Sequence, residues 1–246
     1  MKKYALLSLL VLASLVLGAC GGAAEKVQVA TDATWPPFEM VDEATKQIVG
    51  FDIDLMNAIA KEGGFEVEFV NVSWDPLLAG VAQCQYDAAI SAMTITEERA
   101  KEMGFSDPYF AAGQVVTVRI DETGIASKDD LAGKTIGSQL GTTGEFEAQK
   151  ISGATSKSYD SIDLAFADLM NGQIDAVIAD NPLAIGYVGT NPDKLKTVGP
   201  VFTDENYGVA VCKTDTELLA KINAGLAAAK ASGVIEELTT KWLANQ

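Results

Sequence analysis

Residues 85–94, QYDAAISAMT, and residues 173–182, QIDAVIADNP, share Gln, Asp, Ala and Ile at a constant offset of 88. Each stretch follows a helical pattern, DPLLAGVAQCQ in the first case and SIDLAFADLMNG in the second. YDAAISAM is apolar without alternation, the pattern of a strand covered on both faces in a parallel sheet. A chance likeness between two buried strands is one reading. The other is two α/β lobes of like topology, each presenting the residues just past the carboxyl end of the strand, where open α/β sheets bind ligands.

Outward from that pair, strand and helix patterns take turns. KVQVATD (26–32) alternates like a strand, and FDIDLMNAIAKEGG (51–64) places Phe51, Leu55, Met56, Ile59 and Ala60 on one helical face before a glycine stop. FEVEFVNV (65–72) alternates again. The same order restarts after GQVVTVR (113–119). Ser127 is placed to cap a short helix closed by Gly133, KTIGSQL reads as a strand, and GTTGEFEAQK is a glycine-bracketed turn opening a helix. The last part, YGVAVCK and two helical patterns, carries no third copy and is expected to return to the first lobe. The expectation is an α/β fold of two lobes, each an open, mostly parallel sheet flanked by helices, with a cleft between them.

With 48% apolar and 21% charged residues and only 7 prolines in 246, the chain is globular, large enough for one large or two small domains. MKKYALLSLLVLASLVLGAC reads as an export signal: a basic start, a short apolar run, then small residues. Its end, LGAC, resembles the lipobox of bacterial lipoproteins, which implies residues 1–19 as a signal peptide, Cys20 as a lipidated first residue and residues 20–25 as a tether. A generic signal peptide with a chance cysteine is the alternative. Removing Lys2 and Lys3 leaves 16 cations against 34 acids, a net charge of −18, which repels nucleic acid and anionic lipid. Membrane contact is therefore expected only through the lipid anchor.

Cys84 and Cys212 remain, either as a bridge or as two buried thiols. The absence of histidine removes Ser-His and Cys-His catalysis, and with two separated cysteines it matches no zinc spacing, so neither metal nor cofactor is expected.

Arg99 is one of two arginines, in SAMTITEERAKEMGFSDPYF (91–110). Thr96 is a good helix N-cap, and Glu97 and Glu98 suit the first turn, whereas a cation there faces the wrong end of the helix dipole. Either Arg99 is a surface residue paired with Glu98 or Glu102, or it turns back to grip a planar anion in a bidentate fork.

AMTITEERAKEMGFSDPYF, together with ATDATWPPFE, GTTGE and IADNP, resembles the family 3 solute-binding proteins, the polar amino-acid receptors of ABC importers. The resemblance runs over about residues 26–246. It implies the two-lobed periplasmic-binding-protein fold of type II, with residues 26–110 plus 208–246 in lobe 1, residues 111–207 inserted as lobe 2, and hinge crossings near Tyr109 to Gly113 and Asp204 to Gly208. It implies Arg99, Thr94 and Thr143 at the ligand α-carboxylate, and Asp180 with the carbonyl of residue 92 at the α-ammonium. The family commonly has glycine where this chain has Ala92, and proline where it has Glu97. Trp35 and Trp74 are implied as walls around the ligand side chain, with ordinary core packing as the alternative, and Asp32 as the carboxylate that reads its polar end. Ser91, Met93, Gln139 and Thr142 complete the expected ligand-binding set.

Two indoles and a carboxylate suit a guanidinium or ammonium, so Arg or Lys is favoured and Gln allowed. The expected function is a lipid-anchored, monomeric receptor on the outer face of the cytoplasmic membrane that delivers a free L-amino acid to a permease. The alternatives are a dehydratase of cyclic carboxylic acids on the same scaffold and an amino-acid sensor lipoprotein.

Overall fold

The computed structural model describes residues 26–244. The export signal of residues 1–19, Cys20 and the tether to residue 25 lie outside the described residues.

The chain opens with β1 (Lys26–Thr31), a small antiparallel sheet of β2 (Thr34–Trp35), β3 (Glu39–Val41) and β4 (Ile48–Val49), and helix α1 (Phe51–Gly63). β5 (Glu66–Asn71), α2 (Trp74–Ala82), β6 (Ala88–Ala89), the single turn α3 (Arg99–Glu102) and β7 (Met103–Phe105) follow. β8 (Phe110–Ala112) leads into β9 (Gln114–Arg119), β10 (Thr135–Gln139), α4 (Thr143–Gln149), β11 (Thr155–Tyr159), α5 (Ile162–Met170), β12 (Ala176–Asp180), α6 (Asn181–Thr190) and β13 (Leu195–Val198). β14 (Glu205–Tyr207) brings the chain back to β15 (Ala210–Cys212), α7 (Thr216–Ala231) and α8 (Val234–Leu243).

These strands form two five-stranded sheets of matching design, ordered β5-β1-β6-β15-β7 and β11-β10-β12-β9-β13. In each, the fourth strand alone is reversed: β15 is antiparallel to β6 and β7, and β9 to β12 and β13. The offset of 88 is structural. β6 and β12 occupy the same place beside β1 and β10, and the shared aspartates do the same work. Asp87 Oδ2 accepts from Gln28 N at 2.8 Å, and Asp175 Oδ2 accepts from Thr135 N at 2.8 Å, each tying the residue ahead of the central strand to the neighbouring strand.

Burial explains the loss of alternation. On β6, Ala88, with Ile90 just beyond it, packs in the cluster built with Phe51, Leu55, Met56 and Ile59 of α1, while Ala89 packs with Trp74, Leu77 and Val81 of α2. Both faces of the first sheet are covered, so both parities are apolar. β6 is shorter than the apolar run YDAAISAM, because the chain turns out of the sheet at Ser91 and Ala92, the latter at φ 44°. The helix expected from Thr96 is one turn, with Thr96 Oγ1 accepting from Arg99 N at 3.1 Å in the N-cap manner. Ser127 caps a 3₁₀ turn, Lys128–Asp130, rather than an α-helix.

The two crossings between the sheets run side by side as a ribbon, β8 paired antiparallel with β14 through Ala112 and Glu205, Ala111 and Asn206, and Phe110 and Tyr207. Gly113 sits where this ribbon meets Thr203: a Cβ there would lie 2.2 Å from the Thr203 carbonyl oxygen, so no larger residue fits. Among the described residues, no single helix is long and apolar enough to cross a membrane.

Cys84 and Cys212 are joined in a disulfide spanning 128 residues, with Cα atoms 4.9 Å apart. It ties the end of α2 to β15, the returning strand, inside the first sheet. Cross-links of this span restrict the unfolded chain by about 3 to 5 kcal/mol on the chain-entropy model. We expect the Cys84→Ser/Cys212→Ser pair to lose about 3 kcal/mol of stability in urea unfolding. Reductant should lower the wild-type midpoint and leave that of the double variant unchanged.

Candidate functional site

The carboxyl ends of β1, β6, β10 and β12 converge. Ser91, Ala92 and Thr94 follow β6, Asp180 ends β12, Thr142 and Thr143 follow β10, and Trp35 lies just beyond β1. With Trp74, which starts α2, and Arg99, these residues line one narrow cavity. All nine belong to the set expected from sequence.

Arg99 enters this cavity from α3. Its Nη1 donates to the Thr94 carbonyl at 2.8 Å and its Nη2 to the Gly141 carbonyl at 3.1 Å, so one guanidinium touches segments attached to both sheets. The guanidinium carbon also lies 5.0 Å from the Trp74 ring centroid. Glu98, one of the acids a surface arginine would use, pairs instead with Lys101 at 3.9 Å. The residue as a whole is part-exposed, but its head group is enclosed, and burial pulls its pKa down to about 10 against the pull of Asp180 and Glu205. The Gly141 carbonyl is aimed at Arg99 by a left-handed turn, φ 73°, that suits glycine. Glu145 holds the turn by accepting from Gly141 N at 2.8 Å, and Thr142 Oγ1 caps α4 by accepting from Glu145 N at 3.3 Å.

Asp180 stands opposite, fully enclosed. Tyr207 donates its hydroxyl to Oδ2 at 2.6 Å, and Gln114 donates Nε2 to Oδ1 at 2.7 Å. Burial, then the nearby Glu205 carboxylate, raises its pKa to about 7, with Tyr207, Gln114 and Arg99 working the other way.

The Trp35 and Trp74 rings lie stacked with centroids 6.4 Å apart and an interplanar angle of 28°. Asp32 and Gln139, expected in the ligand-binding set, are buried and do not line the cavity but meet beside Trp35. Gln139 donates Nε2 to Asp32 Oδ2 at 2.9 Å and accepts from Trp35 Nε1 at 2.7 Å, joining the first sheet to the second. Burial holds the Asp32 carboxyl above the ordinary aspartate range, opposed by hydrogen bonds from Gln139 and Thr34.

Met93 departs from expectation. Its side chain is fully buried among Ala30, Trp74, Leu77, Val81, Ala89, Met103 and Ala210, so it packs behind Trp74 instead of lining the cavity. Glu205 was not expected in the site. Its Oε2 accepts from Thr94 Oγ1 at 2.7 Å and from Thr143 Oγ1 at 2.9 Å, and its Oε1 accepts from Gln114 Nε2 at 3.1 Å and Thr203 Oγ1 at 2.8 Å. Each threonine hydroxyl has one proton, and here it is directed at Glu205. The sequence signal for these additions is faint. Gln114 is the polar first residue of a largely apolar strand, and Glu205 and Tyr207 alternate buried around an exposed Asn206.

Comparison with known proteins agrees with this geometry. Residues 27–245 match the family model described as bacterial extracellular solute-binding proteins, family 3. The chain is 39% identical to ABC transporter arginine-binding protein 1 of Escherichia coli K12, covering 98% of this chain and 99% of the relative. It superposes on an ancestral arginine-binding protein bound to arginine with a TM-score of 0.84 at 43% identity, covering 88% of this chain and 97% of the other. An ancestral arginine-binding protein bound to glutamine gives a TM-score of 0.85 at 42% identity, covering 92% and 100%. With nearly its whole described length matched, and with opposed charges and indoles gathered at the strand ends, the chain belongs to family 3 of the bacterial extracellular solute-binding proteins.

Proposed function

We propose that this chain captures a free polar L-amino acid, with a basic side chain favoured and glutamine accommodated, and hands it to the permease of an ABC importer. One observation carries the reading: Arg99 and Asp180 line one cavity, walled by two indoles, as a cation and an acid placed to hold the two halves of a zwitterion.

In this assignment the Arg99 guanidinium takes the ligand α-carboxylate. Thr94 and Thr143 assist through their backbone N–H groups, since their hydroxyl protons serve Glu205. Asp180 and the Ala92 carbonyl take the α-ammonium. The ligand side chain runs between Trp35 and Trp74 toward Asp32, with Ser91, Gln139 and Thr142 shaping the walls. An indole pair and a carboxylate attract a guanidinium by cation–π contact and a charge-assisted hydrogen bond, and the same carboxylate accepts from an amide. The arginine and glutamine ligands of the similar ancestral proteins support this breadth.

The two lobes, residues 26–110 with 208–246 and residues 111–207, close about the β8–β14 ribbon, and closure is favoured because each lobe supplies part of the contact set. Residues 1–19 direct export, and lipidated Cys20 with its tether holds a monomeric receptor at the outer face of the membrane. The role is binding, with no chemical step.

Arginine at a hundredfold excess over its dissociation constant should stabilise the protein by about 2.7 kcal/mol, read as a raised melting temperature. A screen of the common L-amino acids in which none raises it would refute the reading. Arg99→Lys keeps the charge but loses the fork, and calorimetry should show arginine bound about 1.5 to 3 kcal/mol more weakly. Affinity should also depend on pH through Asp180. Its ionised form holds the ammonium, so protonation below its pKa of about 7 competes with binding. Arginine should bind about tenfold more weakly at pH 6 than at pH 8, and Asp180→Asn should abolish that slope.

A further inference from the structure

Behind the turn at Ser91 and Ala92 lie two carboxyl groups that the ligand assignment does not use. Glu39 projects from β3 and Asp52 from the first turn of α1, and both are 0% exposed. They hold adjacent residues of one turn, Ser91 and Ala92, and are close enough for each to act on the other. Glu39 Oε1 accepts from Ser91 Oγ at 3.0 Å, and the same Ser91 Oγ accepts from Asp32 N at 3.0 Å. Asp52 Oδ2 accepts from Ala92 N at 2.7 Å and from Tyr109 Oη at 2.8 Å. The two remaining oxygens, Glu39 Oε2 and Asp52 Oδ1, are buried with no donor from any other residue. Two neighbouring buried carboxylates without a cation repel strongly, and two orphaned acceptors are costly. One proton held between them relieves both penalties.

We propose that Glu39 and Asp52 share one proton, carried by Glu39 and donated to Asp52, and that this pair is a positioning element that fixes the Ser91–Ala92 turn and the Asp32 backbone. The partition follows from the donors. Asp52 already receives two hydrogen bonds, from an N–H and a phenol, which favour its ionised form, whereas Glu39 receives one from a serine. The other titratable groups facing the pair are Asp32 and Tyr109. Burial and the neighbouring Asp52 raise the Glu39 pKa well above the ordinary glutamate value, while Asp52 is raised less, to about 6. Through Ala92 the pair sets the carbonyl proposed for the α-ammonium, and through Ser91 it sets Asp32. This last step rests on the proposed amino-acid site.

The two amide isosteres separate this from simple packing. Glu39→Gln supplies a neutral donor toward Asp52 and should bind arginine within about threefold of wild type at pH 8. Asp52→Asn replaces the charged acceptor of Ala92 N and Tyr109 Oη by a neutral one and should weaken binding by about tenfold or more. Equal effects of the two, or a larger loss in Glu39→Gln, would overturn the assignment. Without ligand, the sign is also fixed. An acid whose folded pKa is raised costs stability as pH climbs from its unfolded value to its folded one. The wild-type melting temperature should therefore fall over that climb more than that of Glu39→Gln, and equal profiles would overturn the sharing. Carbon-13 NMR of the wild-type carboxyl groups gives a third readout that needs no variant to fold. One carboxyl of the pair should remain protonated at pH 7, and finding both ionised would overturn the proposal. If no amino acid binds at all, the proposed function fails, while the melting profiles and carboxyl spectra still decide the proton.

Discussion

The placement of one guanidinium organises this molecule. Arg99 follows the end of β6 in sequence, yet its two terminal nitrogens reach the carbonyls of Thr94 and Gly141, which belong to segments of the first and second sheets. A lysine has one nitrogen and could not span both with the same directional control. The left-handed turn at Gly141, the Glu145 carboxylate that pins it, the Thr142 cap of α4 and the indole face of Trp74 all surround that group. Only when both sheets are assembled is the site complete.

Around this cation the cleft is rich in buried acid. Asp32, Asp180 and Glu205 are all buried, and none forms a close ion pair with Arg99 in the way a structural salt bridge would. They are stabilised by neutral donors: Gln139 and Thr34 on Asp32, Tyr207 and Gln114 on Asp180, and Thr94, Thr143, Thr203 and Gln114 on Glu205. Hydroxyls and amides satisfy the oxygens without cancelling charge, so a surplus of negative potential is kept where the proposed ligand brings an ammonium and, for arginine or lysine, a second cation. A cleft balanced by its own lysines would have no such preference.

Much of this was readable from sequence because it is local or periodic. The duplicated strands at an offset of 88 found the same slot in each sheet, and the shared Asp87 and Asp175 pin neighbouring strands identically. The cavity is lined by residues that sequence had already gathered at strand ends. What stayed hidden depends on where a polar group points after folding. Nothing in FTDENYGV shows that Glu205 reaches two threonines 111 and 62 positions away. Asp52 reads as an ordinary first-turn acid favourable to the helix dipole, although it is fully enclosed. Met93 sits inside the signature stretch, but the turn that follows β6 sends its side chain into the core, a matter of backbone direction that composition does not encode. The strands of the small sheet, two or three residues long, fall below the length at which alternation is recognisable.

Ala92 shows how these levels meet. Its φ of 44° lies in the left-handed region, which costs a residue with a Cβ about 1 kcal/mol or more relative to glycine. Glycine there would remove that strain but widen the conformations open to the turn in the ligand-free protein. Alanine instead needs an anchor, and the Asp52 carboxylate at 2.7 Å from its N–H supplies one from behind. A charged acceptor on a buried N–H is strong enough to hold the strained conformation, and it can stay charged in an apolar setting only because the adjacent Glu39 carries a proton. Ala92, which stands where the family commonly has glycine, is thus tied to the acid pair beneath it: a turn without glycine requires a firmer floor.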